Sequence, residues 1–239
     1  MRKARRSMAG ARRGGRGEPE RTTGSEPEAQ DSGTGRSERR LERASALARE
    51  SRAEQAAREY RELIAEDPGN AAAHAGLGAL CEQAGDRLAA LAHYEAARDA
   101  DPENVETLSR LGGVLAALQR FADSERELRR ALRLDPRNAE AAAKLGILFL
   151  RRGLYAAAEM ELRHAIEFDP DLAEAYLYRG EALNQLGRVD EALAMLERAA
   201  ELQPGNAKVY YTMGILFDKK HLRHRAEEMF RRARSAGGS

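Results

Sequence analysis

The sequence predicts an all-α fold: a solenoid of about six helical hairpins behind an N-terminal tail. Three observations carry this expectation. Asp-Pro or Gln-Pro pairs fall at 67/68, 101/102, 135/136, 169/170 and 203/204, each 34 residues from the last. Between them Ala, Leu, Glu and Arg dominate, and these are strong helix formers. Each interval also divides into two helix-period patterns of about 12 to 14 residues around a short break. Apolar residues make up 42% of the chain but aromatics only 5%, so the core must be built largely from Ala and Leu.

Residues 1–36 are rich in Gly, Ser, Glu and Arg and have no apolar periodicity. They can bury too little apolar surface to offset the entropy of ordering them, so a disordered tail is expected. Arg2, Lys3, Arg5, Arg6, Arg12, Arg13 and Arg16 stand in its first 17 residues without an acid, and residues 18–35 carry five acids and one arginine. The array then occupies 37–239, in units at 37–70, 71–104, 105–138, 139–172, 173–206 and 207–239. Proline closes each unit, because it lacks an amide donor and its ring clashes with the preceding turn. Asn70, Asn104, Asn138 and Asn206 stand where a side chain can cap the next helix. The fourth junction reads Asp169-Pro170-Asp171-Leu172, which makes Asp171 the candidate substitute for that cap. Within units the breaks are Ala84-Gly85-Asp86, Arg152-Gly153-Leu154 and Leu186-Gly187-Arg188.

The second unit sets out the recurring residues as His74, Leu77, Gly78, Cys81, Ala90, Tyr94, Ala97 and Pro102. The third gives Leu111, Gly112, Leu115, Leu128 and Ala131, and the fourth Leu145, Gly146, Phe149, Ala158, Leu162 and Ala165. Gly180, Leu183, Ala192, Leu196 and Ala199 follow, then Gly214, Phe217, Ala226, Phe230 and Ala233. This pattern resembles the tetratricopeptide repeat family, a helix-turn-helix repeat carrying W-x2-L-G-x2-Y, then A-x3-F, then P. The opening unit keeps Leu47, Ala56, Tyr60 and Pro68, with Ala44 at the glycine position. Departures are the missing Trp throughout, Ser124 in place of the small Ala, and Arg179 at an apolar position. The resemblance implies a right-handed superhelix whose first helices line a concave groove and whose second helices form the convex back.

On that assignment the groove would present Ala75, Ala79, Ser109, Gly113, Ala143, Ile147, Leu177, Glu181, Tyr211 and Ile215. Arg151, Asn184, Gln185 and Lys219 would orient the polar groups of a ligand. Small groups in the middle and larger apolar ones toward the C-terminus suit an extended peptide or an amphipathic helix, or simply permit tight curvature. The family's carboxylate-clamp subtype is not matched. Leu41, Ser45, Ala75 and Ala79 occupy its early polar positions, leaving Lys144 and Arg110 isolated.

The expected function is therefore a non-enzymatic scaffold or assembly adaptor with a protein or peptide partner, no cofactor and no metal. The alternative is an adaptor that docks on nucleic acid or an anionic surface through the basic tail residues, by counterion release. No aromatic interleaves those arginines for base stacking. On the convex side Arg126, Arg129, Arg130 and Arg133 share one helix face, with Arg163, Arg198 and Arg231 at corresponding places, but Glu125 and Glu127 flank them. This reads as the solvated face of a soluble helix. His221 and His224 have helical spacing, yet Lys219, Lys220, Arg223 and Arg225 oppose a cation there. Cys81 is the single cysteine, so it forms no disulfide within the chain, and it is expected as an inert buried thiol. No apolar run is long enough for a transmembrane span, and the arginine-rich start lacks the apolar segment of a signal peptide, so a cytoplasmic setting is expected. At the other end Met213, Phe217, Leu222 and Phe230 are expected near an uncovered edge. Two readings stay open there: solvation by His221, Arg223, Arg231 and Arg232, or stacking on another subunit or partner.

Overall fold

The computed structural model describes residues 33–237. They form twelve helices: α1 (Gly33–Arg49), α2 (Ala53–Glu66), α3 (Ala71–Gln83), α4 (Arg87–Ala100), α5 (Val105–Ala117), α6 (Phe121–Leu134), α7 (Ala139–Arg151), α8 (Tyr155–Phe168), α9 (Ala173–Gln185), α10 (Val189–Leu202), α11 (Ala207–Lys219) and α12 (Arg223–Ala236). They pair as six hairpins, and each second helix packs on the first helix of the next hairpin. The first helix begins at Gly33, four residues ahead of the expected array boundary at 37. The rest of the expected tail, with all its basic candidates, lies outside the described residues.

The joints work through local hydrogen bonding. Asn70, Asn104 and Asn138 accept from the amides of Ala73, Thr107 and Ala141, and Asn206 accepts from that of Lys208. At the fourth junction the expected substitution fails. Leu172 is the cap residue, its side chain has no acceptor for the first turn, and no side-chain bond caps the helix there.

The breaks inside the hairpins share a feature that glycine alone revealed in part. Gly85, Gly153 and Gly187 have φ of +75° to +80°, and Ser51, Gln119 and His221 take the same left-handed turn at φ +60°. These six positions are 34 residues apart. Tertiary context thus imposes the turn even where the side chain disfavours it.

Close approach of the paired helices follows from the eighth residue of each unit. A Cβ on Gly146 would lie 2.6 Å from Leu162 Cγ and 3.2 Å from the Ala158 carbonyl oxygen. Leu128, Leu162 and Leu196 are consequently inserted and fully buried. Two departures from the repeat pattern are repaired in space. Ser124 donates to the Gly112 carbonyl at 2.7 Å, so the hydroxyl is satisfied in the core. Arg179 donates from Nε and Nη2 to Glu159 Oε1 at 3.1 and 2.8 Å, pairing α9 with the buried carboxylate of α8.

Candidate functional site

First helices also pack on one another, α1 on α3, α5 on α7, α7 on α9 and α9 on α11, which draws the array in toward that face. This packing decides which of the expected groove residues are reachable. Ser109, Ala143 and Leu177 are 1%, 2% and 4% exposed, so they are covered by the neighbouring unit. Gly113 and Ile147 are half-buried, and Lys144 lies over Gly113.

The polar candidates are largely engaged with each other. Lys144 Nζ donates to Ser109 Oγ at 3.3 Å and is paired with Glu140 at 2.6 Å. Arg151 Nη1 reaches the Ala116 carbonyl at 3.4 Å, and Lys219 Nζ donates to Asn184 Oδ1 at 3.3 Å. Glu181 is paired with Lys208 at 2.9 Å, and that ammonium also stands 4.2 Å from the centre of the Tyr178 ring. Three of these contacts link residues 35 apart, so they tie successive first helices together along the middle and C-terminal groove. Gln185 is exposed.

Ala75 and Ala79 lie in a different setting. They line a cleft of about 400 Å³ between α1, α3 and α5, with Ser45 and Tyr60 on one side and Asn104, Glu106 and Arg110 on the other. Packing between α3 and α5 is looser than between the later first helices. Ala71, Ala72 and Gly76 extend the small floor of this cleft. Tyr60 keeps its hydroxyl 3.2 Å from Ser45 Oγ, and Arg110 is paired with Glu106 at 2.9 Å. Arg110 was singled out in the sequence only as an isolated basic residue, and Glu106 not at all. Their i, i+4 spacing was visible, but their place at the cleft wall depends on how α5 leans on α3.

Tyr211 and Ile215 are 55% and 43% exposed at the C-terminal end. Met213 and Phe217 are mostly buried but line a hollow of the last hairpin with Met229 and Arg225, whereas Leu222 is exposed and Phe230 partly so.

Elsewhere the convex arginines are laced locally: Arg126 pairs with Asp123 at 2.9 Å and Arg129 with Glu125 at 2.8 Å. Cys81 is only half-buried, beside a hollow between α2 and α3, and burial raises its thiol pKa. His221 and His224 are exposed, and no group of three or more potential metal ligands occurs among the described residues. One histidine pair was missed. His74 and His93 bring their Nδ1 atoms to 3.2 Å, while His74 Nε2 lies 3.2 Å from the Pro68 carbonyl oxygen. Burial, then the neighbouring His74 and Arg61, lower the pKa of His93. Among the described residues no helix is long and apolar enough to cross a membrane.

Tetratricopeptide repeat family models match residues 41–105, 82–148 and 173–216. Among solved structures, MamA is similar at 29% identity over 68% of this chain and 95% of that one, with a TM-score of 0.58. Pseudomonas aeruginosa pilF is 20% identical over 85% of this chain and 93% of its own, with a TM-score of 0.73. YrrB, described as a TPR protein with an unusual peptide-binding site, is 24% identical over 74% of this chain and 91% of its own, with a TM-score of 0.56. The pilF and YrrB likenesses carry the fold alone. No curated protein matches the sequence.

Proposed function

We infer that this chain, which belongs to the tetratricopeptide repeat family, is a non-enzymatic interaction scaffold that holds an extended peptide segment of a partner in its N-terminal cleft. A cytoplasmic setting is part of the same reading. The observation that carries it is the cleft between α1, α3 and α5, where small residues form the floor and the Glu106–Arg110 pair supplies charged groups at one wall. Such a site gains affinity from close apolar contact with its small floor and specificity from a few polar side chains at its wall. The covered residues Ser109, Ala143 and Leu177 leave this proposal, and Arg151, which donates to the Ala116 carbonyl, and Asn184, which accepts from Lys219, are less available to a ligand.

Selection of a displayed peptide library on the intact chain tests it. Enriched peptides should lose binding to an Ala75→Arg/Ala79→Arg variant whose helical content and melting are unchanged. Retained binding in that variant would place the site elsewhere. The nucleic-acid alternative rests on Arg2, Lys3, Arg5, Arg6, Arg12, Arg13 and Arg16, outside the described residues. Removing residues 1–17 should leave RNA and DNA retention at low and high salt unchanged if the cleft reading holds.

A further inference from the structure

The fifth residue of the third, fourth and fifth units is covered by a neighbour, whereas Leu41 and Ala75 in the first two are half-buried at the cleft. Ser109, Ala143 and Leu177 lie under α7, α9 and α11, and their counterpart in the last unit is the exposed Tyr211. Ile215 stands one turn further along α11, also exposed. The Phe230 ring of α12 tilts against Tyr211 with centroids 5.6 Å apart. Between α11 and α12 lies a hollow of about 660 Å³ lined by Ala207, Lys208, Tyr211, Phe230, Ala233 and Arg234.

The repeat register says what shape fills this hollow. At interior joints it is always a first helix, running in the same sense as the first helix before it. At the first joint the sixth residue of that helix sits over the ring at position 24 of the preceding unit, where a Cβ on Gly76 would fall 2.3 Å from the Tyr60 ring; Arg110, Lys144, Tyr178 and Thr212 hold the sixth place at the later joints. At two of the five interior joints the thirteenth residue is a cation reaching position 12 of the preceding unit: Arg151 reaches the Ala116 carbonyl and Lys219 reaches Asn184, while Gln83, Ala117 and Gln185 stand there at the others. In the last unit position 24 is Phe230 and position 12 is Asp218. Near the start of α11 Arg234 borders the hollow and supplies positive charge, Lys208 being already paired with Glu181; near its end Asp218 supplies negative charge, while the adjacent Lys219 and Lys220 reach Asn184 and Asp190.

We propose that the C-terminal face is a docking surface for one amphipathic helix of a partner protein, seated as a seventh first helix. The helix carries an acidic residue in its first turn near Arg234, apolar residues against Tyr211 and Ile215, and a basic residue in its last turn against Asp218. Acid at the N-terminus and base at the C-terminus is also the polarity that the helix dipole favours, so the partner helix is stable in the form the surface needs. A second copy of this chain fits poorly. Its α1 has no acid in the first turn, and α12 carries five arginines against two glutamates, so both head-to-tail and tail-to-tail stacking bring like charges together.

Fluorescence anisotropy on the full chain tests this with a stapled 13-residue helix, the length of α11. One probe has glutamates in its first turn and lysine in its last, and a second has those charges exchanged. The first should bind, and Tyr211→Glu should weaken it by at least about tenfold, a loss of about 1.4 kcal/mol. The exchanged probe should bind less tightly and recover on an Arg234→Glu variant. Ala75→Arg should leave the first probe unaffected, which separates this surface from the N-terminal cleft. Absence of binding, equal affinity for both probes, or indifference to Tyr211→Glu overturns the proposal. A dimer in sedimentation that Tyr211→Glu disperses would assign the surface to a second copy instead.

Discussion

In the first hairpin Arg40 reaches Glu59, Glu62 and Glu66, whereas the last hairpin holds Tyr210 and Met229 at the positions of Arg40 and Glu59. The N-terminal end is thus closed by a charged network that water can solvate. The C-terminal end leaves Tyr211 and Ile215 outward, beside a hollow walled by Phe230. Both ends share one repeat register and the same hairpin turn, so the difference cannot come from the repeat itself. It comes from the residues at positions that interior units spend on contact with their neighbours. A solenoid needs such positions polar wherever nothing stacks. Only the first hairpin meets that requirement.

The strongest way to probe the contrast is at the glycines. Ala at Gly76 would place its Cβ 2.3 Å from the buried Tyr60 ring, whereas Ala at Gly214 would place it 2.6 Å from the less buried ring of Phe230, which has room to swing outward. Gly76→Ala should destabilise by about 1–2 kcal/mol, since overpacking outweighs the better helix propensity of Ala. Gly214→Ala should stay within about 0.5 kcal/mol of the parent. Hydrogen exchange resolved to each hairpin measures both, and equal losses would show that the last hairpin is as tightly packed as the joint between the first two.

Next in size is the charged network. Arg40→Ala should cost about 1 kcal/mol in protection of α1 and α2, because one partly covered guanidinium holds three carboxylates. Tyr211→Glu at the opposite end should change stability by less than about 0.5 kcal/mol. If it instead loosens α11 and α12, Tyr211 supports the fold and is not held ready for a partner.

Acidification should distinguish the second hairpin from the last. The lowered pKa of His93 means that its neutral form is favoured in the fold. Its contribution is therefore present above the ordinary histidine value and is lost as pH falls below that value and through the lowered one. Protection of α3 and α4 should drop over this window more than protection of α11 and α12. His93→Gln should remove the difference.

The smallest effect belongs to the shared turn. Ser51→Gly and His221→Gly relieve a side chain held at φ +60°, and each should stabilise its hairpin by about 0.5 kcal/mol after the entropy cost of glycine. Similar gains at the two ends would locate their difference in the outward faces and not in the hairpin joint.

The candidate surfaces were legible only in part. Ala75 and Ala79 were placed in the groove from the register and do line a cleft, but Arg110 and Glu106 acquire their place at its wall from the lean of α5. Ser109, Ala143 and Leu177 satisfied the same register and proved covered. Arg179 looked like a flaw in the pattern because its partner, Glu159, belongs to the preceding unit.

By itself the sequence determined the hairpins, their number and their family, because these depend on contacts within one unit. Proline stops a helix, asparagine caps the next, and glycine admits the side chain at position 24. Tertiary structure alone decided which residues remain available to a partner. Coverage is set by a neighbour about one repeat away and by the lean of one helix on another, so identical register positions become core at Leu177 and surface at Tyr211.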